Sequence, residues 1–187
     1  MDREKGTVNR REFLGASAAA AAAMAAGPVL GIAGKARAEQ SSKDIFVCSV
    51  CGHLEFGAAP GKCPVCHAPS EKFSQNNNVL VDAQSGQSDL AASHAPVMTV
   101  AKKSELIPEM YVYEVQVRVG KKIHSMEDDH QIRFVDCYID DRHFARALFT
   151  TGALPAAVFL TRGKGSKIRV VELCTVHGYW QAAAEVS

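Results

Sequence analysis

The 187-residue sequence has no basic tract, no internal repeat and no heptad pattern. The first absence removes the electrostatic footprint of a nucleic-acid or anionic-membrane binder, and the other two remove solenoids and coiled coils. Strongly apolar runs are missing as well. The one extended apolar stretch, running to about residue 34, is mostly alanine and glycine with Pro28 inside it. It approaches the ~20 residues a membrane span needs but is only weakly hydrophobic, so a cleaved segment is favoured over an anchor.

That stretch follows Asn9-Arg10-Arg11-Glu12-Phe13-Leu14 and ends near Ala36-Arg37-Ala38. Together they resemble a twin-arginine export signal with a small-residue cleavage site. Residues 1–38 are therefore expected to be a signal peptide and the mature protein to be periplasmic, or membrane-anchored if the signal is retained. Substrates of that route cross the membrane folded, often with a metal already inserted, which suits a metalloprotein. Cleavage takes away six of 21 basic and three of 20 acidic residues, which leaves 15 and 17, a net charge of −2. The remaining 149 residues suffice for one domain with a real core plus a small module.

What is present is an unusual supply of soft and borderline metal donors. Cys174 and His177 are three apart, so a tight turn after a strand can aim a thiolate and an imidazole at one point. His124 and His130 flank the polar loop Ser125-Met126-Glu127-Asp128-Asp129, and His94 lies further upstream. Four nitrogens and one sulfur are unusual for zinc, which takes four ligands in structural sites and three plus water in catalytic ones. Five protein donors with one vacancy suit iron. His53, His67 and His143 fall outside this set, and Cys137, in an apolar run, reads as a packed core residue.

His94-Ala95-Pro96-Val97, His124-x5-His130 and Cys174-x2-His177-Gly178-Tyr179-Trp180, in that order, resemble the iron domain of superoxide reductases, also called desulfoferrodoxins or neelaredoxins. Gly120-Lys121-Lys122-Ile123, Ile132-Arg133-Phe134 and the Thr151-Gly152-Ala153-Leu154-Pro155-Ala156 stretch fit the same pattern. The resemblance implies an immunoglobulin-like β-sandwich with iron held by His94, His124, His130 and His177 and by an axial Cys174. It also implies reduction of superoxide to hydrogen peroxide without release of oxygen. Two departures stand out. Ala92-Ser93 replaces a Glu-Lys pair that the family usually carries just before its first histidine, and Ser125 replaces a proline. Lys121 and Lys122 precede His124 without occupying the matching positions.

A second donor set, Cys48, Cys51, Cys63 and Cys66, follows a C-x2-C-x11-C-x2-C pattern, a strong tetrathiolate signature. Gly52 eases the turn of the first knuckle and His67 holds the equivalent place in the second. With Phe46, Phe56, Gly61 and Phe73 around it, the segment resembles the rubredoxin-like domain of rubrerythrins. Iron is favoured there because the neighbouring site needs an electron. Zinc has nearly the same geometry, and disulfides are the other reading in an oxidising compartment. The Cys-Cys pair of known two-iron superoxide reductases is absent.

The expected organisation is a signal peptide at 1–38, a rubredoxin-like domain at 39–75, a polar linker at 76–91 with an apolar patch at 79–81, and the iron domain at 92–187. Val115, Val117 and Val119 alternate with Glu114, Gln116 and Arg118 as a half-buried strand does. Further strand-like runs at 97–101, 131–139, 143–149, 156–161, 167–174 and 179–183 make seven, with Asp140-Asp141 and 163–165 as turns. The fold class is mainly β, a sandwich preceded by the small metal module. The expected partners are superoxide, an unidentified electron donor and a second copy of the chain, a dimer being favoured. Two other functions are carried forward: a non-catalytic periplasmic electron carrier or redox sensor, and a zinc-ribbon binding module with a degenerate iron domain.

Overall fold

A computed structural model describes residues 44–82, 89–162, 165 and 167–186 of the chain. The export signal expected over residues 1–38 lies outside them. In chain order the elements are β1 (Ile45–Cys48), β2 (Leu54–Phe56), β3 (Phe73–Gln75), β4 (Leu80–Asp82), α1 (Asp89–His94), β5 (Pro96–Ala101), β6 (Tyr113–Val119), β7 (Ile132–Ile139), β8 (Arg142–Leu148), β9 (Ala156–Thr161), β10 (Lys167–Cys174) and β11 (Gly178–Glu185). A single 3-10 turn, Ser70–Lys72, precedes β3.

Alternation produces the sandwich. Along β6, Val115, Val117 and Val119 point inward while Gln116 and Arg118 face solvent. The sheet β5-β6-β9 thereby faces the five-stranded sheet β4-β11-β10-β7-β8. Their shared core holds these valines with Phe159, Val135, Cys137, Ile168, Val170 and Met126. Asp140 and Asp141 join β7 to β8 with φ of 50° and 61°. Both central residues are left-handed, as in the two-residue turn whose twist suits a hairpin, and aspartate tolerates that conformation better than most residues.

Strands β7 and β10 do not alternate, because both faces of their sheet are covered. The inner face joins the sandwich core. On the outer face Tyr138 and Val171 pack with Ile45 and Leu54 of the cysteine-rich module, whose own sheet runs β2-β1-β3. A strand buried on both sides reads as a continuous apolar run, which accounts for Phe134-Val135 and Val170-Val171. The patch expected at 79–81 supplies β4, which pairs in parallel with β11. Helix α1 was not expected; Asp89 begins it, Leu90-Ala91-Ala92 favours it, and Pro96 stops it soon after.

A buried ion pair ties the module to the sheet. Asp136 of β7 has no exposed surface and receives two bonds of 2.6 Å from Arg146 of β8. Burial alone would raise its pKa, but hydrogen bonds from Arg146, His143 and His53 hold the carboxyl well below the usual range. Arg146 lies 3.5 Å from the centre of the Phe134 ring and donates its remaining arm to the Cys51 carbonyl at 2.9 Å. The Tyr138 hydroxyl donates to the Leu54 carbonyl and the Tyr179 hydroxyl to the Gly52 carbonyl, each at 2.9 Å. Three donors from three strands therefore grip three carbonyls within residues 51–54.

Removing one partner of such a pair leaves the other as an uncompensated buried charge, at a cost of about 3–5 kcal/mol. Asp136→Asn is expected to destabilise the metal-loaded chain by that amount in urea unfolding. A carboxylate with a depressed folded pKa stabilises above its unfolded pKa and loses that contribution as pH falls through the folded value. The gap between wild type and variant should therefore narrow only in acid.

Candidate metal centre

The five donors expected from the sequence come from four separate places. His94 ends α1 and His124 follows β6. His130 precedes β7, while Cys174 and His177 sit at the β10–β11 turn. Each is aimed by local chain geometry. The turn after β6 hydrogen-bonds back to the segment that carries His94: Gly120 N–H to the Ala95 carbonyl at 3.1 Å and Lys122 N–H to the Ala92 carbonyl at 3.0 Å. Gly120 has φ of 82°, and a methyl there would lie 2.2 Å from the Lys122 oxygen and 2.5 Å from the Ser93 oxygen. Only glycine fits. Glu127 and His130 exchange backbone bonds at 3.1 and 3.2 Å, folding the loop back, and buried Met126 anchors it. Thr175 N–H reaches the Gln131 carbonyl and Gln131 N–H reaches the Thr175 hydroxyl, which straps the second loop to the third.

The result is a square of nitrogens. Nε2 of His124 lies 3.1 Å from Nε2 of His94 and 3.0 Å from Nε2 of His130, whose Nε2 lies 3.1 Å from Nδ1 of His177. Neighbouring rings are edge-on, at 68° to 80°, whereas the opposite pair His94 and His130 is nearly parallel at 26°. The Cys174 sulfur caps the square, 3.7 Å from His124 Nε2 and from His177 Nδ1. A metal about 2.1 Å from four nitrogens in a square would set adjacent corners about 3.0 Å apart. The residues present fit such an ion. Four imidazoles and one thiolate would hold it.

The protonation states agree. Burial first, then the neighbouring imidazoles, pushes His94 down to about 4 and lowers His124, so both are neutral near pH 7. Their Nδ1–H groups donate to backbone carbonyls, His94 to Leu90 at 2.8 Å and His124 to Ser125. Those bonds fix the tautomer that turns the Nε2 lone pair inward. Four lone pairs converging at such distances repel one another unless a cation sits among them. Burial raises the Cys174 thiol, while the amides of His177 and Val176 oppose the shift; a bound metal removes the proton outright.

The four module cysteines also converge. Cys48 and Cys66 sulfurs are 3.7 Å apart, as are those of Cys51 and Cys63. A tetrahedral ion about 2.3 Å from each sulfur gives edges of about 3.8 Å. Disulfides, weighed above, are overturned: all four thiols are free and far beyond the ~2.05 Å of an S–S bond. The two knuckles repeat one backbone pattern. Gly52 N–H and His67 N–H return to the Cys48 and Cys63 carbonyls, with φ of 72° and 63° at Gly52 and His67. Although burial raises it, the Ala68 amide and the three neighbouring thiols bring Cys66 down to about 7.

Three features of the site escaped sequence reasoning. Trp180 stacks on His94 with centroids 5.4 Å apart. Glu172, opposite Trp180 in the ladder, is fully buried with neither carboxylate oxygen hydrogen-bonded, and burial raises its pKa well above the ordinary value. The third is the cluster of His53 and His143 about Asp136. A carboxylate directly after an apolar pair, Asp136 after Phe134-Val135 in β7 and Glu172 after Val170-Val171 in β10, is the signal that could have exposed two of them.

A sandwich bearing a four-imidazole, one-thiolate centre, covered on one face by a tetrathiolate module, defines a two-centre metalloprotein of the non-haem iron class. Residues 86–183 match the desulfoferrodoxin family and residues 46–74 the rubredoxin-like domain of rubrerythrin. The chain belongs to the desulfoferrodoxin family. It is 29% identical over 140 residues to a desulfoferrodoxin of Desulfarculus baarsii, covering 74% of this chain and 94% of that one. With a desulfoferrodoxin of Nitratidesulfovibrio vulgaris it shares 27% over 144 residues, 75% and 96% of the two chains. The solved superoxide reductase from Nanoarchaeum equitans is 27% identical, with a TM-score of 0.44 over 51% of this chain and 94% of that one.

Because Gly120 brings the His94 segment against the His124 turn, Gly120→Ala should cost at least ~1–3 kcal/mol in backbone strain. Iron content at the five-donor site, measured after purification, is expected to fall while the tetrathiolate metal stays.

Proposed function

We propose that the chain reduces superoxide to hydrogen peroxide at iron held by His94, His124, His130, His177 and Cys174. The observation that carries this reading is the capped square of nitrogens, four imidazoles and one thiolate that would hold an iron and leave it within reach of a small ligand. Held by these five residues, iron would supply the single electron, and two protons from solvent would complete hydrogen peroxide, with no oxygen evolved. Cys174 would donate electron density to that iron, and the His177 amide that donates to its sulfur at 3.5 Å would temper the donation. His94 and His124 are buried whereas His130 and His177 are half-buried, so the site is walled on one side and reachable on the other.

We infer that Cys48, Cys51, Cys63 and Cys66 hold a second iron that relays the electron. Its support is the docking of the first knuckle onto the strands that carry the five-donor site. Convergence of all five donors weighs against a degenerate iron domain. Export by the twin-arginine route to the periplasm is the corresponding proposal for location, resting on Arg10-Arg11, the alanine-rich stretch and Ala36-Arg37-Ala38.

Protein purified from its native export route should contain two irons per chain and consume superoxide when reduced, with no oxygen released. One zinc and no iron would sink the enzyme reading. Cys174→Ser should abolish superoxide consumption and leave the visible tetrathiolate spectrum intact; loss of both together would argue against two independent centres.

A further inference from the structure

The first cysteine knuckle rests on the hairpin that carries two of the five donors. Its Gly52 carbonyl accepts a hydrogen bond of 2.9 Å from Tyr179, two residues beyond His177. A methyl built at Gly52 would lie 2.9 Å from the Tyr179 hydroxyl and 3.1 Å from Cδ2 of Leu173, the residue before Cys174. Leu173 and Tyr179 face each other across the β10–β11 ladder, one rung from the Cys174–Gly178 pair that closes it. Gly52 is thus in contact with both strands leading into the β10–β11 turn.

We propose that Tyr179 couples the two centres electronically: the electron crosses from Cys51-Gly52 through the Gly52–Tyr179 hydrogen bond into the hairpin bearing His177 and Cys174. This rests on the relay reading given above. Electronic coupling decays more slowly along covalent and hydrogen bonds than across empty contacts, and of the three grips on residues 51–54 this is the one whose side chain stands within two residues of a donor, His177. The Arg146 arm leads to β8 and the Tyr138 hydroxyl to β7, and neither Arg146 nor Tyr138 adjoins a donor in sequence. In the transfer, one electron leaves the ferrous tetrathiolate iron, which becomes ferric. It reduces the ferric iron of the five-donor site to ferrous. No bond forms or breaks, and Tyr179 keeps its proton.

The test uses the full iron-loaded chain, reduced with dithionite, freed of excess reductant and mixed with less than one equivalent of superoxide. The readout is the growth of ferric tetrathiolate absorbance, which is independent of the rate at which superoxide disappears. Tyr179→Phe should slow that growth by roughly tenfold, equivalent to ~1.4 kcal/mol of barrier. Tyr138→Phe, which also removes one grip on the module, should keep the wild-type rate. Iron content and the reduced-minus-oxidised spectrum establish that both variants are folded and loaded. Equal rates in wild type and Tyr179→Phe would overturn the proposal, as would equal slowing in both variants, because the hydroxyl would then serve docking alone. A wild-type tetrathiolate that stays ferrous after the superoxide pulse would instead overturn the relay itself.

Discussion

The arrangement of the two metal sites depends on one buried carboxylate. Asp136 has no exposed surface, so its charge is tolerable only because Arg146 meets it with two short bonds. Arg146 in turn is held where its third nitrogen reaches the Cys51 carbonyl. The same residues fix β7 against β8 and fasten the knuckle to both. His53 joins the network from the module side, its pKa raised, against the lowering effect of burial, by Asp136 and Glu55. An exposed ion pair would contribute little to such a junction. Here desolvation makes each member dependent on the others, so the module is docked in one orientation rather than tethered.

The five-donor site is built on a different principle. No donor is fixed by an ion pair; each is fixed by backbone hydrogen bonds between ligand-bearing segments. The 92–95 segment pairs with 120–122, and 131 pairs with 175. Ala92 and Ser93 lend their carbonyls to this bracing: Ala92 accepts from Lys122, and the Ser93 oxygen lies against Gly120. The bracing also sets Lys121 and Lys122, both exposed, on a turn tied to the segment that leads into His94. Positive charge therefore sits on that turn and not on the residue before the histidine.

Seven of the eight sandwich strands were legible because alternation and turn residues are local signals, as with Val115, Val117 and Val119 or Asp140-Asp141. Both donor sets were legible because cysteine and histidine at short fixed spacings have few other uses. Helix α1 was not, since six residues of ordinary composition owe their conformation to the strands and turns around them. The junction was hidden for another reason. His53, His143 and Arg146 are each unremarkable in their own segments, Asp136 stands out only by its charge, and the topology brings the four together. The same holds for Tyr179, which read as part of a motif around His177 and not as a contact to residue 52.

Burial on both faces links these observations. A sheet that needed only a sandwich core would leave Tyr138, Val171 and Tyr179 in water, and β7 and β10 would alternate as β6 does. Their continuous apolar character instead records a second layer, supplied by Ile45, Leu54 and Phe56 of the module. Apolar burial of this kind stabilises in proportion to area but does not choose an orientation. Orientation comes from the directional contacts embedded in it: the three carbonyl grips on residues 51–54 and the Arg169 guanidinium 4.4 Å from the centre of the Phe56 ring. The division of labour explains why polar residues occur at all in these strands. Asp136 costs desolvation free energy that valine would not, and what it supplies is a fixed register between the cysteine knuckle and the hairpin that carries Cys174 and His177.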